Sequence, residues 1–466
     1  MKTVFAVPPI PSNKGQAQAT QGRQYQFFKD PTFIYPIIPA TFATMLITEA
    51  GHEFLWVDSI AEGLDDVEFS KLIVTMRPDF IVLEANTMVF KRYCEVIDGI
   101  KSSLPEIKII FCGEHPTACP EEAKQSKADF VLHGGKWFFE AFRIITGKTW
   151  PAERLLPHIN REISRWWLYA YQNGNFKYTP ATYTMASMDC WYRPKQPCTF
   201  CSWVSYHPNT TTRSVEDFLD EVEGLINFGF KEFFDDSGTF PVGKWLKEFC
   251  NGMIERGYNK YIVWGCNMRF GSLQPEDFAL MAKAGCRFIL WGFESANQKT
   301  LDMLHKGYKT DDMKKDLICS KLAGIWNHLT CMIGYPWETL EEEKRTYEMV
   351  KWLLINDWAS SMQATICMPY PGTRLFAQAK EEGWLVNEDW QKWDMTAQVM
   401  KLQYPFSEAL KLQKAYYDIS FIPRFGLNKL SKIRNLDDIK FYWRTAKKVF
   451  KRFAPLFDKE GVALDG

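Results

Sequence analysis

Short apolar segments alternate with helical segments along most of the chain. Between residues 181 and 373, six runs rich in β-branched and aromatic residues are separated by stretches with helical periodicity. The runs are ATYTMASMD, KEFFDDSGTF, YIVWGCNMRF, CRFILWGFES, NHLTCMIGYPWET and SSMQATICMPYPGT. Strands and helices that alternate in this way form parallel sheets with right-handed crossovers. The pattern predicts a partial (β/α)6 barrel, whose active site lies at the carboxyl ends of the strands.

The first 150 residues show the same alternation on a smaller scale. Five apolar strands, KTVFAV, HEFLWVD, DFIVLEA, KIIFCGE and ADFVLHGG, are separated by helical segments. They predict a doubly wound, Rossmann-like parallel sheet, which binds ligands at its carboxyl edge. The chain is therefore expected to be α/β, with a ligand-binding domain at 1–150, a linker at 151–178, a barrel at 179–400 and a helical region at 401–466.

Composition narrows the classes of partner and the compartment. Lys plus Arg and Asp plus Glu both number 56, so no net charge attracts nucleic acid. Twelve cysteines without a secretory leader indicate the reducing cytoplasm, where cysteines are free thiols or metal ligands. No run of 18 or more uncharged apolar residues occurs, so no membrane span is expected.

The tail from Arg424 to Arg452 is basic and amphipathic, with ten cations against two acids. Such a helix can lie on an anionic membrane surface. It can also pack on the barrel with a solvated outer face, which is the interpretation that we favour.

Three cysteines, Cys190, Cys198 and Cys201, follow the first barrel strand with the spacing C-x7-C-x2-C. A structural zinc site needs a second ligand pair, and none follows at a suitable interval. A redox C-x2-C pair would leave Cys190 without a role. Three thiolates fit a four-iron cluster with one iron open to a small-molecule ligand. The alternative is that all three are small buried side chains, but the prolines and cations between them favour an exposed loop.

Polar residues follow the other barrel strands, at the same predicted edge as the cysteines. They are Asp235, Asp236, Arg269, Glu294, Ser295, Gly334, Glu338 and Thr373. Each one alone is as well explained by a solvated or helix-capping role. Their common placement with the cysteines favours a functional site.

These motifs resemble the radical S-adenosylmethionine (SAM) superfamily, in the branch with an N-terminal cobalamin-binding domain. The resemblance rests on an aromatic residue, Phe200, before the third cysteine, and on DDSGTF, GFESANQKTLDMLHKG, IGYPWET and PYPGTRL. In the N-terminal part it rests on EAGHEFLWVD and GEHPTACPEE. Two departures stand out: the first cysteine gap is four residues longer than usual, and Trp337 replaces a usual glycine.

The resemblance implies a [4Fe-4S] cluster on the three cysteines and SAM on the open iron. Asp235 or Asp236 would pair with the SAM ammonium group, and Arg269 with its carboxylate. Glu294 or Ser295 would contact the ribose hydroxyls. Charge-assisted hydrogen bonds of this kind are strong.

The adenine of SAM is expected to contact backbone rather than charged groups. Gly334 and the chain near 368–369 are the candidates, with Phe200 packed beside the ring.

Cobalamin is the third cofactor that the resemblance implies. The loops 84–88, 112–117 and 133–137 are expected to contact it, with the candidate residues Glu84, Asn86, Gly113, His115 and Gly134. The Asp-x-His-x-x-Gly loop that gives a histidine to cobalt is missing, since Ile60 stands at the histidine position of DSIAEG. His115 and His133 remain as lone candidates, but a lone histidine is more often structural. We therefore expect cobalt without a histidine ligand.

The predicted function is that of a cobalamin-dependent radical SAM methyltransferase. It would act on an unactivated carbon or phosphorus centre through a 5′-deoxyadenosyl radical and methylcobalamin. One alternative is a radical cyclase or rearrangement enzyme, and another is a non-catalytic cobalamin-binding protein. The expected partners are a small-molecule or peptide substrate and an external electron donor of the flavodoxin or ferredoxin type. Because the linker is short, the corrin and cluster faces are expected to oppose each other across one closed cavity.

Overall fold

The structure of the protein is a computed structural model that contains two parallel sheets, one in each half of the chain. It describes residues 1–18, 26–28, 32–49, 51–152, 154–192, 197–207 and 211–453. The predicted α/β class, with an N-terminal sheet, a partial barrel and a helical C-terminus, is confirmed.

The N-terminal sheet has five parallel strands in the order β4-β1-β5-β6-β7. Its central strands are apolar on both faces, because helices cover both sides of a doubly wound sheet. The strands of this half are β1 (Lys2–Val7), β2 (Gln16–Gln18), β3 (Gln26–Phe28), β4 (Glu53–Asp58), β5 (Phe80–Glu84), β6 (Lys108–Cys112) and β7 (Phe130–Val131). Strands β2 and β3 form a separate antiparallel pair.

The helices of the N-terminal half begin at residues with clear capping roles. Asp65 caps α3 in a capping box with Glu68, and Asp58 accepts two backbone N–H groups at the start of α2. The helices are α1 (Ile37–Ile47), α2 (Ser59–Glu62), α3 (Asp66–Met76), α4 (Phe90–Ser103), α5 (Glu114–Ala118), α6 (Pro120–Ala123) and α7 (Trp137–Thr146).

The second sheet has six parallel strands in the order β15-β14-β13-β12-β11-β8, so each strand pairs with its neighbour in the chain. This order is that of a half-open barrel. The strands of this half are β8 (Ala181–Thr184), β9 (Ser187–Met188), β10 (Thr211–Thr212), β11 (Glu232–Asp235), β12 (Val263–Met268), β13 (Cys286–Glu294), β14 (Trp326–Ile333) and β15 (Ser361–Ile366).

The helices of this half lie between the barrel strands or, from α15 to α18, after the last strand, and several start at side-chain caps. Ser214 caps α9, Thr339 caps α14, and Thr373, one of the polar residues predicted at the strand ends, caps α15. The helices are α8 (Ser202–Tyr206), α9 (Val215–Phe228), α10 (Lys244–Glu255), α11 (Pro275–Lys283), α12 (Gln298–Met303), α13 (Thr310–Leu322), α14 (Leu340–Ile355), α15 (Arg374–Glu381), α16 (Phe406–Asp418), α17 (Pro423–Leu430) and α18 (Leu436–Phe453).

The linker is fixed to both halves by buried hydrogen bonds. Arg161 donates to Thr182 Oγ1 at 2.6 Å and to the Tyr183 carbonyl at 2.9 Å, both on β8. On the other side, the Tyr169 hydroxyl donates to Asp58 Oδ2 at 2.7 Å at the end of β4. The two halves are therefore held in contact by the segment that joins them.

The basic tail packs against the amino-terminal end of the barrel. Phe441 of α18 lies 5.5 Å from the ring centre of Trp326, and Lys177 forms a 2.5 Å ion pair with Asp438. Arg444 donates to the carbonyl of Lys177 at 3.0 Å. Among the described residues, no helix combines the length and the apolar character that crossing a membrane requires.

Candidate active site

One cavity of about 810 Å³ lies on the inner side of the barrel strands. Its upper end is bounded by the three cysteines, and its lower end reaches His328 near the start of β14. The cavity therefore runs along the strands from the carboxyl edge of the sheet toward its amino edge. Of the residues predicted for SAM, five line it: Phe200, Asp236, Arg269, Glu294 and Met368.

The cysteine loop is pinned by backbone hydrogen bonds to the rest of the barrel. Cys201 N donates to the Cys198 carbonyl at 3.3 Å, which brings the second and third cysteines into one turn. Thr199 bonds through its N–H to the Leu304 carbonyl and through its carbonyl to the N–H of Leu375. Burial raises the pKa of the Cys198 thiol, and the Lys306 ammonium opposes that rise.

The two aspartates at the end of β11 have different environments. Asp235 is fully buried and accepts the N–H groups of Ala186 at 2.6 Å and Ser237 at 3.0 Å. Burial raises the pKa of Asp235 to about 7. Asp236 lines the cavity, with Asn267 Nδ2 3.4 Å from its Oδ1. Asp236 is therefore the aspartate of this turn that can meet a ligand in the cavity.

Arg269 extends from the end of β12 and stacks on an aromatic ring. Its guanidinium carbon lies 4.0 Å from the ring centre of Tyr192, a cation–π contact. Its Nε donates to the carbonyl of Lys306 at 2.8 Å, and its Nη1 to that of Phe270 at 3.1 Å. These bonds fix the guanidinium plane beside the cavity.

Glu294 ends β13 in a left-handed conformation, with φ of 59°. This conformation is strained for a residue other than glycine, and such strain is common at functional sites. The Glu294 Oε1 atom lies 3.0 Å from Lys306 Nζ in a buried ion pair. Burial alone would lower the pKa of Lys306, but the Glu294 carboxylate raises it above its ordinary value.

Ser295 and Gly334 lie outside the residues that line the cavity. Ser295 Oγ donates to Glu338 Oε1 at 3.0 Å in a buried polar cluster beneath the strand ends. Gly334, with φ of 86°, donates its N–H to Glu343 at 2.6 Å. Trp337 covers this cluster and donates from Nε1 to Thr300 at 3.2 Å, so the bulky ring has a structural role at the turn.

The carboxyl edge of the N-terminal sheet is in contact with α8, the helix that follows the third cysteine. Glu84, at the end of β5, accepts from the Tyr206 hydroxyl at 2.6 Å and from Trp137 Nε1 at 3.0 Å. A Cβ atom at Gly135 would lie 2.1 Å from the His207 ring. The glycine therefore allows α8 to pack directly on this edge.

Other residues of the same edge carry acceptors that fit a polar ligand. Asn86 Oδ1 and Glu114 Oε1 are buried and have no hydrogen-bond partner within the described part of the chain. Gly113 has φ of 116°, and a Cβ there would lie 2.4 Å from the Ala85 carbonyl oxygen. Gly134 also has positive φ and donates its N–H to Thr117 Oγ1 at 2.8 Å. The amide side chains around a corrin ring are donors that suit the two orphaned acceptors.

Both candidate cobalt histidines make contacts within the protein. His115 Nδ1 lies 3.3 Å from Thr87 Oγ1, and its Nε2 lies 3.4 Å from Glu122 Oε2. Burial lowers the pKa of His115 to about 3, so its ring is neutral. His133 Nδ1 lies 3.1 Å from the Pro116 carbonyl oxygen. The absence of a histidine on cobalt stays a prediction.

Residues 189–350, which include the cysteine loop and four of the six barrel strands, match the Radical SAM superfamily. The segment that holds the cysteine loop is therefore a radical SAM domain by its family match. The chain is 25% identical over 453 residues to an uncharacterised methyltransferase of Pyrococcus horikoshii, covering 91% of this chain and 93% of the relative. It is 23% identical to an anaerobic magnesium-protoporphyrin IX monomethyl ester cyclase of Rubrivivax gelatinosus, over 75% of this chain and 66% of the relative.

Two solved radical SAM structures share the arrangement of both halves. OxsB, a cobalamin-dependent SAM radical enzyme, superposes with a TM-score of 0.64 over 96% of this chain and 71% of its own, at 15% identity. The methyltransferase TsrM of Kitasatospora setae, with cobalamin and a [4Fe-4S] cluster bound, gives 0.60 over 83% of this chain and 75% of its own, also at 15% identity. The predicted recognition of a radical SAM chain with a cobalamin-type domain is confirmed. The predicted cofactor set, a cluster, SAM and cobalamin, is confirmed for this family and its structural neighbours.

The sequence did not single out several residues of the cavity. Lys306 lies at the end of the motif GFESANQKTLDMLHKG. Its position as a cation in a short turn between apolar segments is the feature of the sequence that could have predicted its role. His328 lines the lower cavity, with Nδ1 2.8 Å from Ser361 Oγ, and burial lowers its pKa to about 4. Because β14 places His328 far from the cysteine edge, no motif near the cysteines could have predicted it.

Proposed function

We propose that this protein is a cobalamin-dependent radical SAM methyltransferase that acts on an unactivated carbon or phosphorus centre. Support comes above all from one cavity, which joins the three cysteines to charged side chains suited to SAM. When bound, the cluster supplies the electron that cleaves SAM, and cobalamin carries the methyl group. The relative from Pyrococcus horikoshii and the structural neighbour TsrM are both described as methyltransferases.

The charged residues of the cavity are matched to a zwitterionic ligand. Asp236 and Glu294 offer carboxylates to an ammonium group and hydroxyls, and Arg269 and Lys306 offer cations to a carboxylate. Because these groups are nearly buried, hydrogen bonds to charge are stronger there than at an exposed surface. Arg269 is held by two backbone carbonyls, and Lys306 and Glu294 hold each other, so little reorganisation of these groups is needed on binding.

The remaining walls of the cavity limit the polar surface around the reacting groups. They are largely apolar and aromatic, with Met268, Met332, Met368 and Tyr370 near the carboxyl edge of the strands. A dry wall suits radical chemistry, because side reactions with water and protein donors are limited.

The N-terminal domain is proposed to hold cobalamin at its carboxyl edge. Asn86 and Glu114 carry the orphaned acceptors there, and α8 connects this edge to Cys201 within six residues. The two cofactor sites are therefore proposed to face each other across α8. The electron for the cluster would come from an external flavodoxin-type or ferredoxin-type protein, and peripheral membrane contact through the exposed side of α17 and α18 stays a secondary proposal.

The test needs no knowledge of the natural substrate. Protein reconstituted anaerobically with iron, sulfide and cobalamin is reduced and given SAM alone. We expect S-adenosylhomocysteine together with methylcobalamin, because a methyltransferase of this type must remethylate its cobalamin. Consumption of SAM with 5′-deoxyadenosine as the only nucleoside product would contradict methyl transfer, and no consumption would point to a cobalamin-binding protein.

A second test uses variants to determine whether SAM cleavage and cobalamin binding depend on different parts of the protein. Asp236→Asn combined with Arg269→Leu should lower SAM cleavage at least tenfold and leave cobalamin content unchanged. Asp302→Asn, an exposed carboxylate on α12, is the matched control. Equal loss of cobalamin in the double variant would contradict this division of labour.

A radical cyclase is the second candidate function. It is favoured by the similarity to the magnesium-protoporphyrin IX monomethyl ester cyclase of Rubrivivax gelatinosus. In the test above, a cyclase gives 5′-deoxyadenosine without S-adenosylhomocysteine, so the same measurement distinguishes the two.

A further inference from the structure

Lys306 is a buried cation in the cavity wall, and its position is fixed from several sides. Only 6% of its surface is exposed. Its backbone N–H donates to the Leu301 carbonyl at 2.9 Å, and its own carbonyl accepts from Arg269 Nε at 2.8 Å. The side chain then reaches Glu294 at 3.0 Å. Neither its backbone nor its ammonium is free to move far.

Nearby residues of the barrel leave space for this ion pair and hold it in position. A Cβ atom at Gly292 would lie 2.8 Å from Lys306 Nζ and 2.8 Å from Glu294 Oε1, so a larger residue at 292 would displace the pair. Tyr308 donates from its hydroxyl to the Gly292 carbonyl at 2.6 Å, next to the irregular pairing of β13. The bulge, the glycine and the strained Glu294 together hold one geometry of the pair.

The pair is costly for the fold. Removing two charges from water costs several kcal/mol per ion in proteins, and hydrophobic replacements are often as stable. The left-handed backbone at Glu294 adds roughly 1–3 kcal/mol of strain. A feature that stabilises the fold so poorly, in the wall of the active-site cavity, points to a role in the chemistry of that cavity.

The ammonium lies on the side of the pair nearer to the cysteines. Lys306 Nζ is 5.7 Å from the ring centre of Phe200, which stands between Cys198 and Cys201 in the chain. Arg269, the other cation of this wall, is already bonded to two backbone carbonyls. Both cations lower the pKa of the Cys198 thiol, and the effect of Lys306 is the larger.

We propose that Lys306 raises the reduction potential of the cluster and holds the Glu294 carboxylate in place for SAM. This inference rests on the proposed function, because it requires a cluster on the three cysteines. A cluster with three thiolate ligands is anionic, and one electron from an external donor makes it more so. A fixed cation nearby stabilises the reduced state, and nearby charge is one of the properties that set such potentials.

The experiment is a redox titration of the reconstituted protein, followed by electron paramagnetic resonance of the reduced cluster. Lys306→Met removes the charge and keeps most of the side-chain volume, and Lys306→Arg keeps the charge. Lys314→Met, on an exposed position of α13, is the matched control. At the wild-type midpoint we expect the ratio of reduced to oxidised cluster to fall about tenfold in Lys306→Met, a shift of about 59 mV for one electron. The Arg variant should stay close to wild type.

Glu294→Gln gives an independent check, and it should shift the potential in the opposite direction. It removes the negative partner and leaves the cation, so the reduced fraction should rise. This variant also decides the question if Lys306→Met fails to fold. Potentials unchanged in the Lys306 and Glu294 variants, or shifted in the same direction in both, would overturn the proposal. Wild-type protein without iron and acid-labile sulfide would instead refute the proposed function.

Discussion

The carboxyl edges of the two parallel sheets both contain buried carboxyl groups, but the groups that contact these carboxyls differ. At the barrel edge, the buried carboxylate of Glu294 is paired with a cation, Lys306, beside an open cavity. At the N-terminal edge, the donors that the described residues offer to the buried carboxyls of Glu84 and Glu114 are neutral, and two of them, Tyr206 and Ser202, belong to α8.

Burial raises the pKa of Glu114 to about 8 and also raises that of Glu84, and among the described residues the hydrogen bonds that oppose this rise come from neutral side chains. The same architecture thus gives one edge that keeps charge and one that favours neutral groups. A charged edge suits SAM, and a neutral, hydrogen-bonding edge suits the amides of a corrin.

The largest expected effect tests the barrel edge at its cysteines. Replacement of Cys190, Cys198 and Cys201 by alanine should remove all iron and acid-labile sulfide and abolish SAM cleavage, because no thiolates remain to hold the cluster. Metal analysis and absorbance of the anaerobically purified protein measure this. Cys319→Ala, a half-buried cysteine of α13, should keep full iron content. Iron that survived in the triple variant would mean that the cysteines are not the ligands.

The second effect tests how much stability is lost when the buried ion pair between Glu294 and Lys306 is broken. Glu294→Gln leaves Lys306 buried without its partner, so the free energy of unfolding should fall by about 3 kcal/mol. Chemical denaturation of the protein measures this loss. For comparison, Glu341→Gln breaks the exposed pair with Lys344 on α14 and should change the stability by less than about 1 kcal/mol. Equal effects of the two substitutions would remove the distinction between buried and exposed pairs.

The third effect probes the packing of α8 on the N-terminal edge. Gly135→Ala places a methyl group against the His207 ring, so stability should fall by roughly 1–3 kcal/mol as the helix is displaced. Gly99→Ala, in the middle of α4 with open space around it, should instead stabilise by about 0.5–1 kcal/mol. Thermal unfolding distinguishes the two signs. Unchanged stability in Gly135→Ala would mean that α8 can move away from residue 135 without destabilising the protein.

The smallest effect is a pH dependence at the N-terminal edge. The pKa of Glu114 is raised from 4.5 to about 8, so the folded state binds its proton more tightly than the unfolded state. The stabilisation of the folded state by protonated Glu114 is fully present below about pH 4.5 and is lost as the pH rises toward 8. Glu114→Gln should therefore gain stability relative to wild type between pH 5 and 8, by roughly 1–3 kcal/mol.

Urea unfolding of both proteins at several pH values in that window measures the difference. A constant difference across it would mean that Glu114 does not titrate there.

The predictions from sequence succeeded where local pattern is enough. Apolar strands separated by amphipathic helices specify parallel sheets in either half of the chain, and Ser214 and Thr339 show helix starts that the sequence itself encodes. Three closely spaced cysteines predict a cluster loop, because all the candidate ligands lie in one segment.

The directions of individual side chains in the site depend on the geometry of the backbone and could not be predicted from the motifs. Asp235 and Asp236 are adjacent, and the sequence left both open, but the strand's alternation sends one into backbone contacts and the other to the cavity. Ser295 follows Glu294 directly, yet the left-handed turn at Glu294 directs it into the cluster around Glu338.

The sequence by itself determined the α/β class and the two parallel sheets, and it predicts the three cysteines as ligands, because these features depend on periodicity and on neighbours in the chain. Only the tertiary structure decided that Lys306 meets Glu294, that His328 lies at the bottom of the cavity, and that α8 covers the N-terminal edge. Burial, pairing and exposure depend on segments distant in the chain, and so does the charge state of a buried group.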